Sequence, residues 1–252
     1  MPGSTARRFL AMSLLCAAAG ALLARPADAQ RIRVYSGLEA FRAAGVPPGD
    51  RALLRRDVVP EARRLWARVE GCRDEFQAID AAAGSFTRRG ASQRAVLYRF
   101  CAAGHGFARG GVAIVQGGRV VAHLTIEDGQ PDGLRALADV DGDGVAELVL
   151  VDSATHQGEV TRHVAVIQLL PRGVRSFGLA SVYHGNRGND LAARRAIGVE
   201  EATVLYVTPA RRPVWEAETY QHRDDERSRW RGTRRLHPIE LEPDRTTYRR
   251  VR

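Results

Sequence analysis

Four acidic side chains lie at regular intervals in one short stretch of the sequence. Asp139, Asp141, Asp143 and Glu147 occupy the first, third, fifth and ninth positions of the run Asp-Val-Asp-Gly-Asp-Gly-Val-Ala-Glu. Carboxylates packed this closely repel one another unless a cation lies between them. Calcium is a hard cation that takes about six to eight oxygen ligands, and this spacing directs alternate side chains of a tight turn to one point. The stretch therefore predicts a calcium-binding loop over residues 139–147.

The residues between and after these acids refine the type of loop. Gly144, at the sixth position, permits a sharp bend, and Val145, at the seventh, is expected to offer its backbone carbonyl. An EF-hand needs a bidentate acid at the twelfth position, where this chain has Leu150 inside an apolar run. We therefore expect the loop to join two β-strands rather than two helices. The alternative interpretation is an Asp- and Gly-rich surface turn that binds no metal.

The segment Leu137–Val151, with the loop between two apolar flanks, resembles one FG-GAP or VCBS-type repeat. In that family the calcium loop lies between β-strands in the blades of integrin-like propellers. The resemblance implies metal ligands at Asp139, Asp141, Asp143 and Glu147. The family usually has Asp rather than Glu at the ninth position, and propellers carry several copies where this chain has one. The chain also resembles secreted bacterial proteins of unknown function that carry one such loop followed by a Gly-containing turn.

The N-terminus has the pattern of an export signal that is removed. Arg7 and Arg8 precede the apolar run Phe9–Ala24, and Ala27–Ala29 places small residues at the positions that a signal peptidase reads. We expect cleavage near Ala29 and a mature chain in the periplasm or outside the cell, with no transmembrane segment. The alternatives are a membrane anchor and a lipoprotein signal at Cys16. For an anchor, the run of about 16 residues is short of the roughly 20 that a spanning helix needs.

Two cysteines, Cys72 and Cys101, remain in the predicted mature chain. In an oxidising compartment an even pair favours a disulfide. The loop that it closes would stabilise the fold by about 3–4 kcal/mol in the chain-entropy model. The alternative is two free thiols. Two cysteines alone cannot form a structural zinc site, which needs four ligands.

The charge balance is strongly basic, and all 38 basic residues are arginine, giving a formal net charge of +9. A basic exported protein could bind anionic lipid, cell-wall polymer or extracellular nucleic acid. Aromatic side chains interleaved with arginine can also stack on bases or sugars. Near the C-terminus that pattern comprises Trp215, Tyr220 and Trp230 among Arg211, Arg212, Arg223, Arg229 and Arg231. The simpler interpretation is ordinary strand packing with a solvated, charged outer face.

The elements that must position these residues divide into two parts. Residues 30–94 are expected to form a helical section, with a strand over Arg31–Tyr35 and helices over Ser36–Ala44 and Val58–Gly71. Residues 95–252 are expected to form a β-rich domain that ends in a solvated tail at Arg249, Arg250 and Arg252. The predicted strands are Ala95–Cys101, Gly111–Gln116, Arg119–Ile126, Leu134–Ala138, Glu147–Asp152, Arg162–Leu170, Val174–Tyr183, Ala202–Val207, Val214–His222 and Arg234–Leu241.

Strands at this spacing without intervening helices predict a mainly β, antiparallel fold, either a sandwich or a partial propeller, with a small N-terminal helical section. Within it, Asp152, Ser153 and His156 could be drawn as a nucleophilic set. Residues so close in sequence rarely reach triad geometry, and the chain has no Gly-x-Ser-x-Gly turn. No catalytic residue is assigned, and His156 and Gln157 are expected in a turn that packs over the acidic loop.

These patterns together predict an exported, calcium-stabilised, non-catalytic binding or structural module. No partner is assigned, and an envelope protein and an anionic surface polymer are the two candidates. The alternatives are an exported hydrolase in which calcium is structural, and a cell-surface polyanion binder that uses the Arg- and aromatic-rich C-terminal strands.

Overall fold

A computed structural model describes residues 30–69, 72, 75–103, 107–127, 129, 131–156, 158–186, 199–223, 230–232 and 236–251. The export signal predicted for residues 1–29 lies outside these ranges. Two short helices, α1 (Pro48–Asp57) and α2 (Val59–Trp66), occur in the N-terminal part. The strands are β1 (Ile32–Ser36), β2 (Gln77–Gly84), β3 (Gln93–Ala103), β4 (Phe107–Gln116), β5 (Arg119–Ile126), β6 (Pro131–Leu137), β7 (Glu147–His156), β8 (Glu159–Leu170), β9 (Gly173–Gly185), β10 (Val199–Thr208), β11 (Val214–Arg223), β12 (Arg231–Gly232), β13 (His237–Ile239) and β14 (Tyr248–Val251).

The strands form two sheets in which the paired neighbours are antiparallel. The larger sheet has nine strands, with the order β12-β11-β10-β9-β8-β7-β6, and with β1 paired to β10 and β13 paired to β11. The smaller sheet has five strands in the order β14-β5-β4-β3-β2. The predicted fold class, mainly antiparallel β with a small helical section near the N-terminus, is confirmed.

The core between the two sheets draws apolar side chains from both. Leu97 and Leu124 of the smaller sheet pack there with Leu148 and Ile167 of the larger one. Because successive side chains of a strand point to opposite faces, Val149 of β7 enters a second cluster on the other face of the larger sheet. The first five residues of β7 are all buried, so the apolar run that follows the acidic loop forms a strand covered on both faces.

The helix pair covers the outer face of the smaller sheet. Leu54, Ala62 and Trp66 pack in a third cluster with Tyr98 and Phe100 of β3. The helix predicted over Ser36–Ala44 is wrong, because Ser36 belongs to β1 and residues 37–47 have no helical structure. The backbone N–H of Ala44 instead donates a hydrogen bond to the Asp80 carboxylate at 2.8 Å. The predicted Val58–Gly71 helix corresponds to α2, which ends at Trp66. The preceding helix, α1, was not predicted.

Two strands of the smaller sheet were also not predicted. β2 pairs with β3, and β14 pairs with β5 through Tyr248–Val251. Arg249 and Arg250 therefore lie in a strand and not in a tail, although the side chain of Arg249 is exposed as predicted. Arg252 falls outside the described ranges. Residues 30–94 contribute β1 to the larger sheet and β2 to the smaller one.

Cys72 and Cys101 form a disulfide with a Cα–Cα distance of 5.1 Å, which confirms the predicted pairing. Cys101 is a buried residue of β3, and Cys72 follows α2 in the chain. The bond therefore ties the chain leaving the helix pair to the sheet on which the helices pack.

A chain of polar contacts also joins α2 to the smaller sheet. The hydroxyl of Tyr98 lies 2.6 Å from Nε2 of His123, and Nδ1 of His123 lies 3.3 Å from Oε2 of Glu61. In the neutral imidazole, Nδ1–H donates to the carboxylate and Nε2 accepts from the tyrosine. Burial lowers the pKa of His123, although the neighbouring Glu61 carboxylate opposes that effect.

Replacing both Cys72 and Cys101 with serine is expected to reduce the free energy of unfolding by about 3–4 kcal/mol, because the unfolded chain regains the entropy of the open loop. Urea unfolding without reductant measures the difference, and the same unfolding with reductant should bring the native chain to the stability of the variant. Equal stability of the two proteins without reductant would contradict the assignment.

His123 is expected to make the fold sensitive to acid. Because its pKa is lowered from 6.5 in the folded protein, its contribution to stability is complete above pH 6.5 and is lost as the pH falls from 6.5 toward the folded pKa. Asp57, Glu61 and Arg119 line the same cavity as His123, so these are the charged groups that face the imidazole. Urea unfolding at pH 7.5 and at about pH 5 measures the free energy of unfolding. Between these two pH values it should fall less for His123→Gln than for the native protein. An identical loss would show that another group is responsible.

Candidate metal centre

The acidic loop connects β6 to β7, which pair as an antiparallel hairpin that begins at Leu137 and Glu147. The loop therefore lies between two strands, as the sequence predicts. Gly142 and Gly144 have φ angles of 82° and 88°, in the left-handed region that glycine enters without the steric cost of a side chain. These two bends fold the loop back over its first residue.

The carboxylate of Asp139 organises the loop backbone. It accepts hydrogen bonds from the N–H groups of Gly142 at 2.7 Å, Asp143 at 3.1 Å and Gly144 at 2.6 Å. Three backbone donors fix this side chain at the centre of the turn.

Three of the predicted ligands converge. One carboxylate oxygen each from Asp139, Asp141 and Glu147 lie within 4.8 Å of one another. Asp143 is not part of this group. Its Oδ1 accepts the N–H of Val145 at 2.8 Å and its Oδ2 accepts from Gln168 at 3.0 Å. The role predicted for the Val145 carbonyl stays a prediction, since the contact found for this residue is through its N–H.

Glu147 is the buried member of the cluster, with no exposed surface. Its Oε2 accepts the N–H of Val140 at 3.0 Å, and its Oε1 accepts from Nε2 of Gln168 at 3.3 Å. Burial raises the pKa of Glu147 to about 8, and the negative charges of Asp141 and Asp139 add to this effect. A cation among the three carboxylates would favour the ionised form of Glu147 and offset their repulsion.

Two arginines lie beside the loop. Nη1 of Arg175 donates to Oδ2 of Asp141 at 2.6 Å, and its guanidinium also lies 4.4 Å from the centroid of the Phe177 ring. Arg89 lies so close to Gly144 that a side chain at this glycine would collide with it. One oxygen of Asp141 is therefore balanced by a protein cation at the edge of the cluster.

The loop is attached to both sheets. Val140 is fully buried in the cluster on the outer face of the larger sheet, and its carbonyl accepts the N–H of Ala210 at 2.9 Å. Ala146 packs against the core between the sheets, and its N–H donates to the carbonyl of Ser85 at 2.9 Å. The position of the carboxylates is consequently coupled to the relative position of the two sheets.

Sequence reasoning did not find Gln168 or Arg175, which are brought to the loop by the pairing of β7, β8 and β9. Gln168 is 1 % exposed and stands inside an otherwise apolar run of β8. A polar residue in such a run is a signal that a buried polar partner exists, because an unpaired amide would be costly there. Arg175 carries no comparable signal.

The turn predicted to pack over the acidic loop lies elsewhere. Glu147 begins β7 and His156 ends it, so the length of the strand separates His156 from the loop, and Gln157 lies outside the described residues. The neighbours Asp152 and Ser153 point to opposite faces of the sheet. Ser153 accepts a hydrogen bond from Arg162 at 3.3 Å, and the structure does not assemble the nucleophilic set.

The aromatic residues of the C-terminal strands do not form one surface. Trp215 is buried in the cluster on the outer face of the larger sheet, whereas Tyr220 lies on the opposite face of β11 and donates to Glu218 at 2.9 Å. Trp230 packs 5.8 Å from the His222 ring. Arg229 lies outside the described residues.

The donor set fits a hard divalent cation, because the three converging groups are all carboxylate oxygens and include no nitrogen or sulfur. Comparison with known proteins finds no matching family model and no significant similarity to a curated protein or a solved structure. In the ranges that the structure covers, neither helix has the length and apolar character needed to cross a membrane.

Proposed function

We propose that this chain is an exported, calcium-stabilised module that binds a partner or supports an assembly and has no catalytic activity of its own. The observation that carries the proposal is the convergence of Asp139, Asp141 and Glu147 to within 4.8 Å. Because Glu147 is fully buried, a metal-free loop retains a buried carboxyl group beside two other acids. A bound cation would supply the charge that this arrangement lacks.

Calcium is the favoured ion on chemical grounds. Zinc prefers nitrogen and sulfur ligands, and magnesium demands a near-ideal octahedron and gives up its water reluctantly. The alternating acids at positions one, three, five and nine, and the resemblance to an FG-GAP or VCBS-type loop, support calcium as well. Asp143, whose Oδ2 accepts from Gln168 at 3.0 Å, and the Val145 carbonyl would complete the ligand set.

The proposed role of the ion is structural. The loop is hydrogen-bonded to Ser85 on one side and to Ala210 on the other, so an ion that holds its shape would hold the two sheets together. Calcium sites of extracellular modules bind with dissociation constants of about 10⁻⁴–10⁻³ M, so the ion stays bound outside the cell. Such a site does not act as a sensor of small calcium changes.

Export is supported by two independent features. The leader pattern of residues 1–29 is typical of a signal that is removed, and the Cys72–Cys101 disulfide is of a kind that persists in oxidising compartments. We therefore propose a periplasmic or extracellular location.

Calcium is expected to raise the melting temperature of the protein by about 5–10 °C at a free concentration near 100 times the dissociation constant. Glu147→Gln keeps the shape of the buried side chain but removes its charge, so it should fold and lose most of the response. Glu240→Gln, at an exposed position, is the matched control and should respond as the native protein does. Melting curves with calcium, magnesium and chelator distinguish these outcomes, and superimposable curves in all three would rule out the site.

A second candidate function, binding of an anionic surface polymer, is favoured by the outer face of the helix pair. The acids Asp50 and Glu61 point toward the sheet, where Asp50 pairs with Arg94 at 2.8 Å and Glu61 contacts His123. The third acid, Asp57, is exposed and pairs with Arg56 at 2.6 Å, so the side turned to solvent carries one acid among several arginines and is basic on balance. Its exposed arginines are Arg51, Arg55, Arg56, Arg63, Arg64 and Arg68.

The location of this polyanion surface can be tested by removing equal charge from two places. The triple variant Arg51→Gln, Arg64→Gln, Arg68→Gln is expected to elute from immobilised heparin at lower salt than the native protein, because fewer ion pairs form with the polymer. The matched variant Arg211→Gln, Arg212→Gln, Arg231→Gln changes the C-terminal strands and should elute close to the native protein. A native protein that is not retained at low salt would refute this second function.

A further inference from the structure

Two arginines of the larger sheet are packed against aromatic rings. The guanidinium of Arg135, in β6, lies 5.2 Å from the centroid of the Tyr35 ring and 5.5 Å from that of Phe41. The guanidinium of Arg162, in β8, lies 5.6 Å from the centroid of the Tyr183 ring. These distances are within the range of cation–π attraction. The rings therefore hold both arginines in place, and these five residues are called the Tyr35 cluster below.

The coil that follows β1 covers part of this cluster. Phe41 packs against Gly133 of β6, where a side chain on the glycine would collide with its ring. Gly133 and Arg135 lie on one face of β6, because side chains alternate along a strand. Most of the coil over residues 37–47 is exposed, so the cluster lies under a thin cover that borders solvent.

The hydroxyl of Tyr35 is buried and lacks a hydrogen-bond partner. Tyr35 is 2 % exposed, and its hydroxyl oxygen is the buried side-chain polar atom that stays unpaired among the described residues. Burial raises the pKa of Tyr35, and the charges of Arg162 and Arg135 oppose that effect, so both guanidinium groups lie near the hydroxyl. A guanidinium only donates hydrogen bonds, so neither arginine can accept the tyrosine O–H. The missing partner is therefore an acceptor.

The hydrogen bonds of Arg162 are long. Its Nε donates to Oγ of Ser153 at 3.3 Å, and its Nη1 donates to the backbone carbonyl of Glu39 at 3.5 Å. Bonds from a guanidinium to a carboxylate or phosphate are shorter, at about 2.7–2.9 Å, and stronger. Asp132, which lies near Ser153, pairs instead with Arg99 at 3.2 Å. The half-buried guanidinium of Arg162 is thus served by two neutral oxygens at the limit of hydrogen-bond distance.

The charge of the cluster is positive. In the ranges that the structure describes, neither Arg135 nor Arg162 forms an ion pair with a carboxylate. Glu39 lies near enough to act on the Tyr35 hydroxyl, but its carboxylate is exposed and pairs with Arg33 at 3.4 Å. Two cations therefore adjoin one unpaired O–H donor, and this combination attracts a negatively charged acceptor.

We propose that Arg162 and the Tyr35 hydroxyl bind the oxyanion group of a small molecule, a carboxylate or a phosphate, with the charge of Arg135 adding to the attraction. The planar guanidinium presents parallel N–H donors that match two oxygens of such a group. The Tyr35 O–H would donate to the same group and gain the acceptor that it lacks. The anion would replace the long contact between Arg162 and the Glu39 carbonyl, at the exposed coil.

This oxyanion site is separate from both functions proposed above. The Tyr35 cluster contains no residue of the acidic loop, and it belongs to the larger sheet, whereas the helix pair and its basic surface cover the smaller one. The calcium response, retention on heparin and binding of a small anion can therefore each fail without the others.

Titration with acetate, methyl phosphate and sodium chloride at equal ionic strength tests the requirement for an oxyanion. In protein labelled with ¹⁵N-arginine, the Nε–Hε signals of Arg135 and Arg162 are assigned by their loss in Arg135→Gln and Arg162→Gln. The Arg162 signal is expected to shift in a saturable way, with a dissociation constant on the order of 1–10 mM. The anion that binds more tightly identifies the ligand group as a carboxylate or a phosphate. Chloride should act by screening alone and give no saturable shift.

Two variants test the location. Arg162→Gln should weaken binding of the tighter anion about tenfold, whereas Arg172→Gln, which removes the same charge from an exposed turn, should bind as the native protein does. Tyr35→Phe keeps the ring beside Arg135 and removes the unpaired hydroxyl, so it should weaken binding about fivefold without lowering stability to urea. A purely structural hydroxyl would not give this combination.

The proposal is overturned if neither oxyanion shifts the Arg162 signal beyond the effect of chloride, which would leave water as the partner of Tyr35. It is also overturned if Arg162→Gln and Arg172→Gln bind equally well, or if Tyr35→Phe binds as tightly as the native protein. If a variant does not fold, the shifts of the Arg135 and Arg162 signals in the native protein decide the location.

Discussion

Glu147 is a fully buried carboxyl group at the first residue of a strand that is buried on both faces. β7 sends Leu148 and Leu150 into the core between the sheets and Val149 and Val151 into the cluster on the other side. The direction of these four side chains is fixed by the period of the strand, so the position of Glu147 is fixed with them. Glu147 therefore cannot shift along β7 without changing the register of the strand that links both cores.

The loop and the adjoining strand were the most predictable parts of the molecule, because a local sequence pattern defines each of them. The spacing of Asp139, Asp141 and Glu147 is a local pattern, and so is the apolar run that follows it. The hairpins β4–β5 and β8–β9 were predictable for the same reason, since each consists of two β-rich runs around a turn rich in glycine or proline. Such local patterns can be recognised in the sequence without knowing which distant residues will pack against them.

The features that escaped prediction depend on distant partners. β2 is rich in alanine and contains Asp80, whose carboxylate is buried because it accepts from the N–H groups of Ala44 and Leu134 at 2.8 and 3.0 Å. β14 contains two arginines, and it forms a strand because its backbone pairs with the edge of β5. Gln168 and Arg175 reach the acidic loop through sheet register alone. In each case tertiary contacts override the weak local preference of the sequence.

The pairing of β14 with β5 has a consequence for how the chain folds. The outer edge of β5 stays unpaired until β14 arrives, because Ile126 pairs with Tyr248, which lies far along the chain. Until then the smaller sheet presents an open edge of backbone donors and acceptors, which other extended chains can join. Contacts of such long range form slowly, so the interval before β14 docks is when self-association or capture by a chaperone competes with folding. Arg249 and Arg250 on the arriving strand add like charges that discourage edge-to-edge pairing between copies.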